Sequence, residues 1–283
     1  IIFCGTQKGG KNLTIGVFDS GLGGLTVLLK IREKIPHLSV IYLGDNDNAP
    51  YGTRSPQEIY EMTCEGIQVL FDKGCKLVII ACNTASAVAL RKIQEEWVPP
   101  DRRVLGVFVP LIEKITEREW GDNSPPRKVS VKNIALFATP STVISRAFER
   151  ELGFRAIGVR VESQPCDGLV DAIEMGDLYL AEKLIDSYAN ELLERLPDPE
   201  VVVLGCTHYP LVKNLFTKHL GNQTKILDHP DIVCESLKDY IARHPDKLGD
   251  QNYSYFLTSG DPKNVEQKAL QLSGVTINFS SVF

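Results

Sequence analysis

The chain repeats one short pattern, which reads IIACNT at Ile79–Thr84 and VLGCTH at Val203–His208. In both places an apolar run typical of a buried strand ends in a small residue and a cysteine, and two polar residues follow. A helical pattern begins shortly after each. The repeat therefore predicts two cysteines, Cys82 and Cys206, each at the end of a strand in its own half of the chain.

Strand and helix patterns alternate along the chain, which predicts an α/β fold with parallel sheets. Ligands in such folds bind at the carboxyl ends of the strands, where both cysteines are expected. The predicted strands are Thr14–Phe18, Val40–Leu43, Leu77–Ala81, Val104–Phe108, Asn133–Ala138, Ala156–Val161, Val201–Leu204, Lys225–Leu227, Tyr253–Thr258 and Val275–Phe279. The predicted helices are Gly24–Ile35, Pro56–Lys73, Thr84–Trp97, Thr142–Leu152, Asp167–Met175, Leu178–Leu196, Leu211–Leu220, Ile232–Ala242 and Pro262–Leu272.

Composition and charge are typical of a soluble globular protein. The 283 residues are 43% hydrophobic and 24% charged, and the formal net charge of -5 does not favour binding to nucleic acid or to an anionic membrane. No apolar run approaches the ~18 residues of a membrane span. The seven cysteines are scattered, without a CxxC pair, which indicates free thiols in a reducing compartment. We therefore predict a cytoplasmic protein, and Ile1–Asn12 lacks the pattern of a signal peptide.

The neighbours of the two cysteines indicate reactive thiols. Cys82 precedes a predicted helix, whose N-terminus would lower the pKa of the thiol from its usual value of about 8.5. His208 lies two residues after Cys206 and is a candidate proton partner for it, and Asp19 could assist Cys82 from a neighbouring strand end. A single strand-end cysteine is more often a small core residue, but a matched pair favours function. Thiols on opposite walls of a cleft could invert a stereocentre by moving protons to and from its two faces.

Two loops are candidates for anion binding. Asp19–Gly24 reads DSGLGG, and its glycines would let backbone amides approach a carboxylate or a phosphate beside a helix N-terminus. A tight turn that merely needs glycine is an equally supported interpretation. Asn46–Gly52 could line the same cleft with the Tyr51 hydroxyl and the Gly52 amide, although its composition alone favours an ordinary turn.

Other functions could use the same residues. A zinc ion accepts ligands such as Cys82, Cys206, His208 and Asp19, but no local pair has the spacing of a zinc site, so we predict no metal. A thiol-redox enzyme would bring the cysteines within disulfide reach, with Cα atoms less than ~7 Å apart. A non-catalytic amino-acid-binding protein could share the fold.

Several motifs together resemble the glutamate racemase family, a branch of the Asp/Glu racemase superfamily. They are FDSGLGG at Phe18–Gly24, GD at Gly44–Asp45, PYG at Pro50–Gly52, ACNTA at Ala81–Ala85, GCTH at Gly205–His208 and TSGD at Thr258–Asp261. The resemblance implies two similar parallel-sheet α/β domains related by pseudo-symmetry, with the active site between them. It places 13–107 and 213–283 in the first domain and 108–212 in the second, with 1–12 as an N-terminal extension.

The resemblance also implies an activity, namely cofactor-independent conversion of L-glutamate to D-glutamate for peptidoglycan synthesis. One thiolate would remove the α-proton while the opposite thiol donates a proton to the other face. The resemblance implies that the reaction needs no cofactor and, in particular, no pyridoxal phosphate. Glutamate would be the small-molecule partner, with no nucleic acid or membrane, and the resemblance allows a homodimer.

The matched motifs imply a role for each candidate site residue. Cys82 would act on the D-glutamate face and Cys206 on the L-glutamate face, assisted by Asp19 and His208 respectively. Asp19, Cys82, Cys206 and His208 would also contact the substrate. The other implied contacts are Ser20, Pro50, Tyr51 and Gly52 for the side-chain carboxylate, Asn83, Thr84 and Thr207 for the amino-acid head, and Thr142 and Glu174 elsewhere in the cleft.

Overall fold

The computed structural model describes residues 14–119, 121–122, 124–221, 224–243 and 254–282. The predicted extension at 1–12 and the predicted strand residue Tyr253 lie outside these ranges. The strands are β1 (Thr14–Asp19), β2 (Ser39–Gly44), β3 (Leu77–Ile80), β4 (Arg103–Gly106), β5 (Arg127–Lys128), β6 (Asn133–Ala138), β7 (Ala156–Ile157), β8 (Arg160–Pro165), β9 (Val201–Gly205), β10 (Lys225–Leu227), β11 (Ser254–Thr258) and β12 (Ser280–Ser281).

Helices connect most of these strands, and within the described ranges two 3-10 segments and one π-helical turn accompany them. The α-helices are α1 (Leu25–Lys34), α2 (Pro56–Asp72), α3 (Asn83–Val88), α4 (Leu90–Lys92), α5 (Phe108–Thr116), α6 (Pro140–Ser145), α7 (Ala147–Gly153), α8 (Leu169–Glu174), α9 (Leu178–Arg195), α10 (Lys213–Leu220), α11 (His229–Arg243) and α12 (Pro262–Ser273). The 3-10 segments are Tyr51–Thr53 and Tyr209–Val212, and the π-helical turn is Ile93–Trp97.

Two parallel sheets organise the structure. The first has the strand order β12-β11-β2-β1-β3-β4, and the second has the order β10-β9-β6-β8. Strands β1, β2, β3 and β9 are buried along their whole length, because helices cover both faces of a parallel sheet. The predicted fold class, α/β with two parallel-sheet halves, is confirmed.

Sheet membership corrects one part of the predicted domain division. β10 lies within the stretch 213–283 that was assigned to the first domain, but it pairs with β9 in the second sheet. The short helix α10 returns the chain beside β9, which is the usual outcome for a strand that follows a helix. The chain rejoins the first sheet only with α11, whose Val233 and Leu237 pack into the core around α1. The rest of the division stays a prediction.

Several element boundaries also differ from the sequence prediction. The predicted helix Thr84–Trp97 is interrupted at Ala89 and ends in the π-helical turn. In this turn the Trp97 ring stacks on the Phe71 ring, with the ring centroids 5.8 Å apart. The predicted strand Val104–Phe108 ends earlier, and its last residue opens helix α5 instead.

Three further predictions changed in detail. The predicted helix Thr142–Leu152 divides into α6 and α7 at Arg146, which adopts a left-handed conformation with φ 51°. Ala156–Val161 contributes to two strands, β7 and β8. Val275–Phe279 is irregular, and strand pairing begins only at Ser280. None of these changes moves the carboxyl ends of β3 and β9.

The helices within the described ranges include none that is long and apolar enough to cross a membrane.

Candidate active site

A cavity of about 550 Å³ opens at the carboxyl ends of the two sheets and is lined by residues from both. Cys82 follows β3 of the first sheet and Cys206 follows β9 of the second, and both line this cavity. Their side chains are only 4% and 5% exposed, and both are free thiols. The structure therefore brings the two predicted cysteines to one cavity from different sheets, without a disulfide between them.

Cys82 forms the N-cap of the short helix α3. Its Sγ accepts a hydrogen bond from the Ala85 N–H at 3.4 Å and lies 3.2 Å from the Ser20 hydroxyl. Burial, reinforced by the negative charge of Asp19, raises the pKa of the Cys82 thiol to about 12. The prediction that the helix N-terminus would lower this pKa is wrong, because the loss of solvation outweighs the hydrogen bonds. Cys82 is therefore a protonated thiol at neutral pH.

Asp19 lies beneath the cavity and is completely buried. Its carboxylate accepts hydrogen bonds from the Gly21 N–H at 2.9 Å and from the Thr207 hydroxyl at 3.5 Å, and burial raises its pKa. Successive side chains at a strand end point in opposite directions, so the next residue, Ser20, contacts Cys82 in place of Asp19. Asp19 acts on Cys82 through its charge, and its predicted role as a proton partner stays a prediction.

Cys206 begins a chain of buried polar contacts. Its Sγ lies 3.9 Å from Nδ1 of His208, and Nε2 of His208 lies 2.9 Å from a carboxylate oxygen of Glu174. Burial would lower the pKa of His208, but its hydrogen bonds to Cys206 and Glu174 raise that pKa to about 10. Burial likewise opposes the charge on Glu174, yet the bond to His208 lowers its pKa overall. An imidazolium ion thus lies beside the Cys206 sulfur at neutral pH.

Three threonine hydroxyls meet where the two sheets face each other. Thr84 of the first sheet and Thr139 of the second are 2.9 Å apart, and Thr139 is also 2.9 Å from Thr142. Thr84 and Thr139 line the cavity, whereas Thr142 lies behind them and reaches it only through their hydroxyls. Sequence analysis missed Thr139, although its position before Pro140 is a helix N-cap signal.

The loop Pro50–Gly52 lines the cavity as predicted, but the Tyr51 hydroxyl is not free to bind a ligand. It donates to the Asp45 carboxylate at 2.6 Å, and the side chain is 1% exposed. Asp45 also accepts from the Ser259 hydroxyl at 2.7 Å, which ties the C-terminal segment to this loop. The predicted use of the Tyr51 hydroxyl is therefore wrong, because a buried carboxylate already occupies that hydroxyl.

The cavity gathers most of the predicted site residues. The exceptions are Asp19, which lies beneath the floor, and Thr142, which lies behind Thr139. Cys166 and Lys268 also line the cavity, but no sequence motif marked them. The predicted site residues that line the cavity are Ser20, Pro50, Tyr51, Gly52, Cys82, Asn83, Thr84, Glu174, Cys206, Thr207 and His208.

Gly23 allows the turn after β1 to approach the second sheet. A Cβ atom at this position would lie 2.3 Å from the Thr207 hydroxyl and 2.6 Å from Nδ1 of His208, so both side chains would have to move. We expect Gly23→Ala to lower kcat/KM by about 100-fold, since displacements near 1 Å can cost that much. Gly153→Ala is the matched control, because nothing lies within 4 Å of its Cβ position. Near-normal activity of Gly23→Ala would contradict the placement of His208.

In the part of the chain that the structure describes, no group of three or more His, Cys, Asp or Glu side chains is arranged to hold a metal ion.

Comparison with known proteins identifies the family to which the chain belongs. Residues 25–237 match the sequence family described as Asp/Glu/Hydantoin racemase. The chain belongs to this racemase family. The match confirms the superfamily that the motifs indicated, and the similar glutamate racemases described next show that the protein is an amino-acid racemase.

Several glutamate racemases are similar to this racemase. It is 60% identical over 269 residues to the glutamate racemase of Paracoccus denitrificans, covering 95% of this chain and all of the relative. Its fold matches the glutamate racemase isoform RacE1 of Bacillus anthracis with a TM-score of 0.82 at 29% identity, covering 96% and 98% of the two chains. It also matches the glutamate racemase of Francisella tularensis in complex with D-glutamate, with a TM-score of 0.81 at 27% identity over 95% and 96% of the chains.

Proposed function

We propose that this racemase interconverts L- and D-glutamate by direct proton transfer between two thiols. The observation that carries the proposal is the pair of buried free cysteines, Cys82 and Cys206, which reach one cavity from different sheets. The names of the similar proteins supply the substrate, since the Paracoccus and Bacillus relatives are glutamate racemases and the Francisella enzyme was solved with D-glutamate.

In the L-to-D direction the Cys206 thiolate removes the α-proton and the Cys82 thiol donates its own proton to the opposite face. The C–H bond that breaks on one face is replaced by a C–H bond on the other, so the product is the mirror image. Cys82 suits the role of the acid in this direction, because its thiol is protonated at neutral pH, and the imidazolium of His208 lies beside Cys206. The reverse direction needs the opposite state, with Cys82 as thiolate and Cys206 as thiol.

The cavity must also stabilise negative charge on the α-carbon and its carboxylate, because the α-proton is very weakly acidic. Preorganised donors in a site that excludes water are the usual means. The hydroxyls of Thr84 and Thr139 come from different halves of the fold, lie 2.9 Å from each other and line the cavity, so they are candidates for this role together with Asn83. Closure of the two halves around the substrate would exclude water further.

The two carboxylates of glutamate need different surroundings. We propose that the amino-acid head lies near Asn83, Thr84 and Thr207, between the two sulfur atoms. The side-chain carboxylate would then lie towards Ser20 and the loop Pro50–Gly52. Because the Tyr51 hydroxyl is bonded to Asp45, that loop would contact the carboxylate through other atoms.

Charge at the cavity entrance makes Lys268 important for an anionic substrate. Lys268 lines the cavity among several carboxylates, and its charge helps to lower the pKa of Glu174. We expect Lys268→Glu to raise KM for glutamate about tenfold at low salt, and Lys268→Gln about threefold, with kcat little changed. High salt should remove most of the effect, since it screens exposed charges. The matched control is Lys263→Glu on the same helix, since Lys263 does not line the cavity. An equal effect of this variant would contradict a local role of Lys268. The carboxylates concerned are Asp47, Asp167, Asp171, Glu174 and Asp261.

We further propose that the D-glutamate formed serves peptidoglycan synthesis in the cytoplasm. A homodimer remains compatible with this function, because the cysteines and their partners all come from one chain.

The direct test is a chiral assay of the purified protein with each enantiomer of glutamate and of aspartate, without added cofactor. We expect both glutamate enantiomers to reach the same racemic mixture and aspartate to react far more slowly. If aspartate were converted faster than glutamate, aspartate would be the substrate in place of glutamate. Calorimetric binding of glutamate without any conversion would indicate a non-catalytic binding protein.

A further inference from the structure

His229 lies at the junction between the two halves of the fold. It is the first residue of α11 and follows β10, so the chain passes through it from the second sheet to a helix that packs on the core of the first. Its side chain is completely buried, and its ring packs against Phe108 with centroids 6.0 Å apart. No motif in the sequence marked this residue.

The ring of His229 is hydrogen-bonded to the residue that follows Cys82. Its Nε2 lies 2.8 Å from the side-chain Nδ2 of Asn83. With its Nδ2 facing the ring, the Asn83 amide donates, so Nε2 accepts and the ring proton sits on Nδ1, which has no hydrogen-bond partner among the described residues. Burial lowers the pKa of His229 to about 3, so the ring is neutral over the working pH range and able to accept.

This contact links the active site to the junction between the sheets. Asn83 lines the cavity and is 2% exposed, and it is the first residue of α3, which Cys82 caps. Asparagine side chains rotate easily when unpartnered, whereas a short hydrogen bond to a buried ring holds one orientation. The bond therefore fixes both the Asn83 amide and the turn that carries the Cys82 sulfur.

We propose that His229 is a positioning residue, which holds the Asn83 side chain in the orientation that binds the amino-acid head of the substrate. It acts through Asn83 and does not touch the substrate. This inference rests on the proposed function, because it takes glutamate as the ligand. It deepens that function by naming the residue that holds Asn83 in place. The alternative is a histidine that only fills core space, for which any apolar residue of similar volume would serve.

A double-mutant cycle separates these interpretations. The variants are His229→Leu, which keeps volume but cannot accept a hydrogen bond, Asn83→Ala, and the combination of the two. The dissociation constant for glutamate is measured by calorimetry on each folded protein. We expect His229→Leu to weaken binding about tenfold, because Asn83 is then no longer held in place and the substrate loses about the value of its one hydrogen bond to that side chain. We expect the double variant to bind no more weakly than Asn83→Ala alone, because His229 acts only through Asn83.

His229→Gln provides the rescue, because its side-chain oxygen can accept from Asn83 where Nε2 did. We expect it to restore the dissociation constant to within about threefold of the wild type. Additive losses in the cycle, unchanged binding by His229→Leu, or a failure of His229→Gln to restore binding would each overturn the proposal.

A spectroscopic measurement on the unaltered protein guards against variants that fail to fold. The nitrogen-15 chemical shifts of the His229 ring should show a proton on Nδ1 and none on Nε2. A proton on Nε2 would overturn the proposal, whatever the variants do. Wild-type protein that binds glutamate without racemising it would overturn the proposed function alone, whereas protein that binds no glutamate would overturn both.

Discussion

Replacing either Cys82 or Cys206 with serine is expected to reduce kcat/KM for glutamate racemisation by at least about 10³-fold in both directions, because a hydroxyl cannot act as the base at neutral pH. The two enantiomers have equal free energies in water, so any variant must lower kcat/KM by the same factor for both. Each variant still keeps one thiol. We therefore expect Cys82→Ser to exchange the α-proton of L-glutamate with solvent, and Cys206→Ser that of D-glutamate, without inversion.

Cys64→Ser is the control for these variants. Cys64 is a free thiol on α2, away from the cavity, and its replacement should leave racemisation unchanged. Near-full activity in either Cys82→Ser or Cys206→Ser would contradict the two-thiol mechanism. Exchange of both enantiomers by a single variant would contradict the assignment of one thiol to each face.

His208→Asn is expected to lower kcat/KM by about 100-fold or more, since it removes the imidazolium beside Cys206. The loss must be equal for the two enantiomers in kcat/KM. It should divide between kcat and KM differently for the two enantiomers, because His208 contacts Cys206 directly, whereas Cys82 is bonded to Ser20 and Ala85. If the loss divided between kcat and KM in the same way for both enantiomers, His208 would serve general packing and not one of the two thiols.

The protonation of His208 can be measured independently by NMR titration. We expect the imidazole to stay protonated through neutral pH and to lose its proton near pH 10, where the raised pKa lies. Glu174→Gln should lower that pKa, because the carboxylate at 2.9 Å is one of the two causes that raise it. A His208 that titrates near its ordinary pKa of about 6.5 would contradict the charged chain from Cys206 to Glu174.

Local sequence patterns predicted the fold because most elements carry their own signals. The capping box Ser55–Glu58 marks the start of α2, and the Ser55 side chain does accept from the Glu58 N–H. The apolar runs before the two cysteines gave β3 and β9. The helix α5 was missed because its apolar start, which includes Pro110, reads as the continuation of a strand.

Long-range features could not be read from local patterns. The pairing of β10 with β9 depends on how a short helix turns the chain back. The contact between His229 and Asn83 joins residues that are 146 positions apart in the sequence, and neither lies in a pattern that predicts the other.

The candidate site shows the same division between local and long-range information. The doubled cysteine pattern located both thiols and the position of His208 beside one of them. The pKa of Cys82 was predicted in the wrong direction, because the sequence shows the nearby helix start but not the depth of burial. The Tyr51 hydroxyl was assigned to the ligand because its partner, Asp45, is identified only by the folded loop.

The central claim is that two different groups handle the proton on the two faces of the α-carbon. The most direct measurement is racemisation of L-glutamate in deuterated water, with both enantiomers isolated early in the reaction and their α-deuterium measured. We predict that the D-glutamate formed carries deuterium at the α-carbon, donated by Cys82, while the remaining L-glutamate keeps its protium. Product that retains protium, or remaining L-glutamate that gains deuterium as fast as product forms, would show that a single base serves both faces and would contradict the account.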